Sequence, residues 1–147
     1  MEGTDVVRKF RDIVKYIVRS LGIYEKSEAY CCGTTLAQCN AIIEIGRAKE
    51  ISLIDLADIL NLDTSTASRT VNNLVSQNLV VREEDPEDRR YLKIKLTKEG
   101  EKIYKTVEES MDIFFKKVYE SIPADKREQV MESLGILLNA LKENKCC

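Results

Sequence analysis

The chain has no histidine, and only two prolines and six glycines among its 147 residues. Without histidine it lacks the side chain most often used to move protons near neutral pH. It also has no glycine-rich phosphate loop and no nucleophile with an evident base partner, so an enzyme is not expected. No run approaches the ~18 consecutive apolar residues that a membrane span needs. The opening residues Met1-Glu2-Gly3-Thr4-Asp5 carry no basic flank, no apolar stretch and no small-residue cleavage site. A cytoplasmic protein without membrane association is therefore expected. Cysteine occurs five times. An odd count in a chain large enough to have its own core fits a disulfide framework poorly.

What is present is ordinary in amount and uneven in placement. Apolar residues make up 44% and charged residues 33%, which suits one globular domain with a modest core. The formal net charge of -2 argues only weakly against a polyanion partner, because distribution matters more than total. Between Thr64 and Arg82 the only charges are Arg69 and Arg82, whereas acid gathers at residues 83–88 and at Glu108, Glu109 and Asp112.

Periodicity predicts a mainly α-helical fold with one small β-hairpin. A first amphipathic helix is expected over residues 5–21, with Phe10, Ile13, Val14, Ile17 and Leu21 at helical spacing and Gly22 as its stop. The stretch 24–33 is expected to be irregular. A second helix starts near Thr34 or Thr35, lined by Leu36, Cys39 and Ile43. Ser52 opens a third, with Asp55 as the reciprocal member of a capping box and Leu53, Leu56, Ala57 and Leu60 facing inward. Residues 61–63 break it. A fourth helix runs from about Thr64 to Gln77, burying Ala67, Val71 and Leu74, and ends at Asn78, a residue tolerant of left-handed backbone. Leu92, Ile94 and Leu96 then alternate with Lys93 and Lys95 as a half-buried strand, with Pro86 in the preceding turn. Thr97 caps a long helix, and Pro123 suits the first turn of the last one.

Helix, tight turn, helix and a charged hairpin form an arrangement suited to reading duplex DNA. The second helix of such a pair enters the major groove. Its outward set here is Thr64, Ser65, Thr66, Ser68, Arg69, Asn72 and Asn73. Short hydroxyls allow close approach and can bond phosphates or base edges; Arg69 can fork onto guanine or clamp a phosphate, and Asn72 can pair with adenine. An ordinary solvated helix face is the alternative, but this face lacks the Glu and Lys that usually decorate solvent. At the hairpin tip, Asp88 can brace one arginine by a bidentate pair. Arg89 or Arg90 is then free to probe the narrow minor groove. Lys93 and Lys95 are candidates for phosphate contact. A solvated hairpin would carry the same charges.

The two ends supply more helix than the reading head needs. Their apolar stripes, Phe10, Ile13 and Ile17 in the first helix and Val130, Leu134, Leu137 and Leu141 in the last, would be exposed in a monomer. A two-fold dimer covers them economically, although they could instead fold back on their own chain. Such a dimer would set two heads ~34 Å apart, one turn of DNA. The helix from Thr97, about 24 residues, would reach ~36 Å.

With those residues in view the chain resembles the MarR family of winged helix-turn-helix transcriptional regulators. The resemblance rests chiefly on Asp85-Pro86-Glu87-Asp88-Arg89-Arg90 followed by Leu96-Thr97-Lys98-Glu99-Gly100, and also on Leu56-Ala57-Asp58-Ile59-Leu60 and Ser65-Thr66-Ala67-Ser68-Arg69. It implies one domain over 1–147, with the DNA-binding region at 34–96 and dimerisation and connecting helices at 5–33 and 97–147. It also implies a homodimer on a pseudo-palindromic operator, usually a repressor released by a small molecule or oxidant. Asn78 departs from the family, which usually has glycine there. A winged module that binds protein instead of DNA is the rival class.

The signal is less legible. Cys31, Cys32 and Cys39 cluster near the junction of the first two helices, and Cys146 and Cys147 end the sequence. Thiolates select soft metals or metalloids and can switch by oxidation. Equally, Cys39 suits a core position and the terminal pair a tail without a role. The other expectation is a small organic effector among Phe10, Tyr16, Tyr24 and Tyr30. No cofactor is required.

Overall fold

A computed structural model of the chain describes residues 2–31, 33–88 and 92–145. The described residues form α1 (Glu2–Cys31), α2 (Leu36–Ala48), β1 (Ile51–Ser52), α3 (Leu53–Leu60), α4 (Thr64–Ser76), β2 (Val80–Glu84), β3 (Leu92–Leu96), α5 (Lys98–Ser121) and α6 (Arg127–Glu143). The expected mainly helical architecture with a small β-hairpin is thus the one observed. The chain divides into two compact units, residues 1–108 and 109–147, and the boundary falls within α5.

The first unit is built around α2. Ala41, Ile42 and Ile45 of that helix pack with Leu56 of α3, Val71 and Leu74 of α4, and Leu79, Val80 and Ile94 at the sheet. Cys39 and Ile43 are buried as expected, while Leu36 is only half-buried. The deepest side chains, Ile42 and Ile45, lie beside the stripe read from the sequence, because a helix at the centre of a unit is apolar over a wide arc. Thr35 caps α2. The Gln38 N–H donates to Thr35 Oγ1 at 3.2 Å and the Thr35 N–H donates to Gln38 Oε1 at 3.2 Å, a complete capping box. At α3 only half the expected box forms: the Asp55 N–H donates to Ser52 Oγ at 3.1 Å. Aspartate is one methylene shorter than the Glu or Gln that closes such a box.

Both helices of the reading motif end in the same way. Asn61 and Asn78 take φ of 53° and 61°. Asn78 N–H donates to Val75 O and Leu79 N–H to Leu74 O, at 3.0 and 2.9 Å. Asn61 and Leu62 make the equivalent bonds to Asp58 O and Ala57 O, at 3.2 and 2.9 Å. These paired bonds satisfy the last carbonyls of each helix, with asparagine where glycine is usual.

Four expectations about the elements need correction. α1 does not stop at Gly22 but runs on to Cys31, so residues 24–31 are helical. A lone glycine costs a helix about 1 kcal/mol against alanine, too little to end one that has no proline behind it. The hairpin also has a third strand: β1 pairs with β3 through Ile51 and Ile94, giving the order β1-β3-β2. Leu92, expected on the buried face of its strand, is 40% exposed, because it starts β3 at the tip end of the hairpin, beyond the core. Pro123 leads into a single 3-10 turn, Ala124–Lys126, from which α6 continues.

The second unit pairs the end of α5 with α6. The Arg127 guanidinium lies 5.2 Å from the Tyr119 ring and donates to Ile122 O and Glu120 O, which closes the corner between the helices. No residue of α6 is buried. Val130 and Leu137 are half-buried, and Leu134 and Leu141 remain about half exposed, at 49% and 55%. In the first unit, Phe10, Ile13 and Ile17 of α1 are exposed as well.

Candidate nucleic-acid interface

Asp63 starts α4. Its Oδ1 accepts the Thr66 N–H at 3.3 Å and its Oδ2 accepts the Ser65 hydroxyl at 2.8 Å. Bonds from Thr66, and then from Ser65, hold the Asp63 carboxyl below the ordinary aspartate range. Ala67, Thr70, Val71 and Leu74 turn inward. The opposite face therefore presents Thr64, Ser65, Arg69, Asn72 and Asn73 to solvent, with Thr66 and Ser68 half-buried at its margins. Helical periodicity accordingly places all seven expected residues on or beside one face. Within it, Arg69 Nη2 donates to Thr66 Oγ1 at 3.4 Å.

The sheet holds this helix from behind. Val80 at the start of β2 is buried, and Arg82, two residues on, shares its side of the strand. That alternation brings the Arg82 guanidinium to Asn72, where Nη2 donates to Oδ1. In the sequence Arg82 stands as one charge among others. The signal available was its period-two relation to Val80, but its partner lies on another element.

The hairpin lysines are not free. Lys95 Nζ lies 2.9 Å from Glu83 Oε2 and 3.5 Å from Glu50 Oε2, and Lys93 Nζ lies 3.4 Å from Glu50 Oε1. The β2–β3 register, with Glu83 opposite Lys93, sets these pairs on one face. The Glu83 carboxylate, with Glu50 behind it, raises the Lys95 pKa. At the tip the Glu87 N–H donates to Asp85 Oδ1 at 2.9 Å, which shapes the turn around Pro86. Asp88 is half-buried. Arg89 and Arg90 lie outside the described residues, and so does the expected pairing of one of them with Asp88.

Thr97 and Gly100 fasten α5 to this head. Thr97 Oγ1 accepts the Gly100 N–H at 3.1 Å and donates to Asn78 O at 2.7 Å. The Thr97 N–H donates to Leu79 O at 3.0 Å. A Cβ at Gly100 would come within 3.0 Å of that same carbonyl oxygen. Glycine is therefore required where α5 crosses the end of α4.

Of the five cysteines expected to sense a signal, only Cys39 has a described side chain. Cys39 is buried among apolar neighbours, 3% exposed, as a core side chain. Cys31 ends α1, while Cys32, Cys146 and Cys147 lie outside the described residues. Among the described residues no cluster of His, Cys, Asp and Glu is arranged to hold a metal. Phe10 and Tyr16 are exposed on α1, and a shallow hollow of about 590 Å³ beside Ile13, Tyr16 and Ile17 is open to solvent. No helix among the described residues is long and apolar enough to cross a membrane.

Comparison with known proteins agrees with this geometry. The MarR family model matches residues 33–90, from the start of α2 through the hairpin tip. A MarR transcriptional regulator from Methanosarcina mazei Go1 superposes with a TM-score of 0.78 at 25% identity, over 93% of this chain and 99% of that one. Over residues 33–90 the chain is thus similar to the MarR family. The fold is that of winged-helix regulators. It is similar to an uncharacterised HTH-type transcriptional regulator, YdgJ, of Bacillus subtilis (strain 168), at 26% identity over 109 residues. That match covers 74% of this chain and 66% of the relative. The FabT structure from Streptococcus pneumoniae, solved in complex with DNA, shares the fold at a TM-score of 0.84 and 18% identity, over 94% of this chain and 99% of that one.

Proposed function

We propose that this protein is a regulator of the MarR type, a homodimeric repressor of a pseudo-palindromic operator. The observation that carries the proposal is the outward face of α4, which is polar, almost uncharged and braced against the hairpin by Arg82. Thr64, Ser65, Thr66, Ser68, Arg69, Asn72 and Asn73 are its groove-reading residues. Asp88, Arg89 and Arg90 form the wing probe, and Lys93 and Lys95 exchange their Glu partners for phosphates on binding. FabT, with the same fold, was solved bound to DNA. The exposed stripes of α1 and α6 supply the dimer surfaces. We place the protein in the cytoplasm, with no cofactor, and released from DNA by a small organic ligand or by a soft metal, metalloid or oxidant. In the second case the thiols are Cys31, Cys32, Cys146 and Cys147, because Cys39 belongs to the core.

Electrophoretic shift of duplex DNA from the protein's own upstream region tests this reading. The shift should occur at a dimer stoichiometry, weaken steeply with salt, and disappear in Arg69→Ala while the dimer persists. A chain that leaves every duplex unshifted would be a winged protein-interaction module. Titrating the complex with arsenite, zinc and peroxide, in wild type and with the four thiols changed to serine, separates the two effector chemistries.

A further inference from the structure

Strand alternation sends Lys93 and Lys95 to the face of the sheet opposite the buried Ile94. Two carboxylates meet them there. Glu50 Oε1 lies 3.4 Å from Lys93 Nζ, and Glu50 Oε2 lies 3.5 Å from Lys95 Nζ, so one carboxylate spans both ammonium groups. Glu83 Oε2 lies 2.9 Å from Lys95 Nζ and serves that lysine alone. The placement of Glu50 has a backbone cause. Ile51 pairs with Ile94 and Ser52 with Lys93, so the antiparallel register brings Glu50 beside Lys95. Only Lys49 and Glu50 connect α2 to β1. Lys49 takes φ of 68°, a backbone region that lysine rarely adopts. The fold therefore fixes Glu50 at the lysines through a short, strained turn.

A phosphodiester spreads one negative charge over two non-bridging oxygens, as a carboxylate does. Two lysines that hold one carboxylate by both of its oxygens can hold one phosphate in the same way. Exchange between the two is easy, because all three side chains are partly exposed and such ion pairs are weak. A duplex backbone, with its dense line of charge, can displace the carboxylate.

We propose that Lys93 and Lys95 form a single phosphate subsite, and that Glu50 closes it in the free protein as an internal substitute for the DNA phosphate. The proposal rests on the reading of this protein as a duplex-DNA binder and adds an autoinhibitory contact to it. A phosphate carries no sequence information, so Glu50 weakens binding to every duplex by the same factor and leaves base preference unchanged. Glu83 adds to the competition at Lys95 only. None of these side chains belongs to the core, so their replacement leaves the fold intact.

The test is fluorescence anisotropy of the full-length protein with a duplex from its own upstream region and with an unrelated duplex of equal length. Glu50→Gln should bind both duplexes about 2–5-fold more tightly at low salt. Glu84→Gln measures plain repulsion, because this exposed acid of the same hairpin makes no ion pair among the described residues, and its gain should be smaller. Lys93→Gln/Lys95→Gln should weaken both duplexes alike. It should also make the slope of log affinity against log salt shallower by about 0.9, the value for one phosphate. Without the lysines, the gain from Glu50→Gln should fall to that of Glu84→Gln. A gain from Glu50→Gln no larger than that of Glu84→Gln overturns the proposal. So does the same gain with and without the lysines, or binding that is unaffected by their loss. A slope shallower by about 1.8 gives each lysine its own phosphate and overturns the shared subsite. A wild-type protein that binds neither duplex overturns the DNA-binding proposal itself, and this one with it.

Discussion

Gly100→Ala offers a test in which the sign of the effect carries the information. In an unencumbered helix, alanine in place of glycine stabilises by about 0.5–1 kcal/mol, because glycine loses more backbone entropy on folding. At Gly100 the new Cβ would sit within 3.0 Å of the Leu79 carbonyl oxygen, 3.2 Å from its carbonyl carbon and 3.3 Å from Leu96 Cβ. Two of these atoms are backbone and cannot turn aside. The first turn of α5 must move off the end of α4. That motion strains two bonds, Thr97 N–H to Leu79 O at 3.0 Å and Thr97 Oγ1 to Asn78 O at 2.7 Å. Overpacking costs about 1–3 kcal/mol, and each hydrogen bond lost about 0.5–1.5 kcal/mol. After the helix-propensity gain, the net destabilisation should be roughly 2–4 kcal/mol. Gly22 is the control, since a Cβ there meets nothing within 4 Å. Gly22→Ala should stabilise by up to about 1 kcal/mol. Urea denaturation of wild type and both variants at one protein concentration measures the two shifts. A Gly100→Ala variant as stable as wild type, or both variants moving in the same direction, would refute the close approach of α5 to Leu79.

Other consequences can be checked more briefly. Thr97→Val removes the cap on the Gly100 N–H and the donor to Asn78 O; it should cost about 1–2 kcal/mol, which Thr97→Ser largely restores in the same urea assay. Ile42→Ala empties the centre of the first unit and should cost about 2–5 kcal/mol. Asp63 has a lowered pKa in the folded chain, so its contribution to stability is complete above the ordinary aspartate value. It is lost as pH falls through the lowered folded value. Asp63→Asn retains the cap without titrating, and its acid unfolding curve should lack that component. Leu134→Asp places a charge on the exposed stripe of α6 and should shift the protein toward monomer in sedimentation, whereas an unchanged sedimentation coefficient would remove Leu134 from the dimer surface.

What the sequence made legible was local. Thr97 and Asn78 announce their caps because the relevant chemistry lies within a few residues of each. The outward face of α4 was legible because burial of Ala67, Val71 and Leu74 fixes the opposite side by periodicity alone. The length of α1 was not, because Gly22 resembles a stop and costs too little to be one. β1 has two residues, and it exists only through a partner strand more than forty residues away. The tie between Arg82 and Asn72 depends on how β2 lies against α4, which no window of sequence contains. The pairing of Lys93 and Lys95 with Glu50 has the same origin, since strand alternation shows which way the lysines point but not what comes to meet them.

On the proposed function, two copies of the α4 face, each with its wing, read one stretch of duplex DNA. Hydroxyl-radical and methylation footprinting of the wild-type protein on its own upstream region tests this most directly. Two major-groove half-sites are expected about one helical turn apart, about 10–10.5 base pairs between centres or a multiple of that, both lost in Arg69→Ala. A single protected half-site, protection that coats the duplex without a break, or none at a concentration where the protein is dimeric would contradict it.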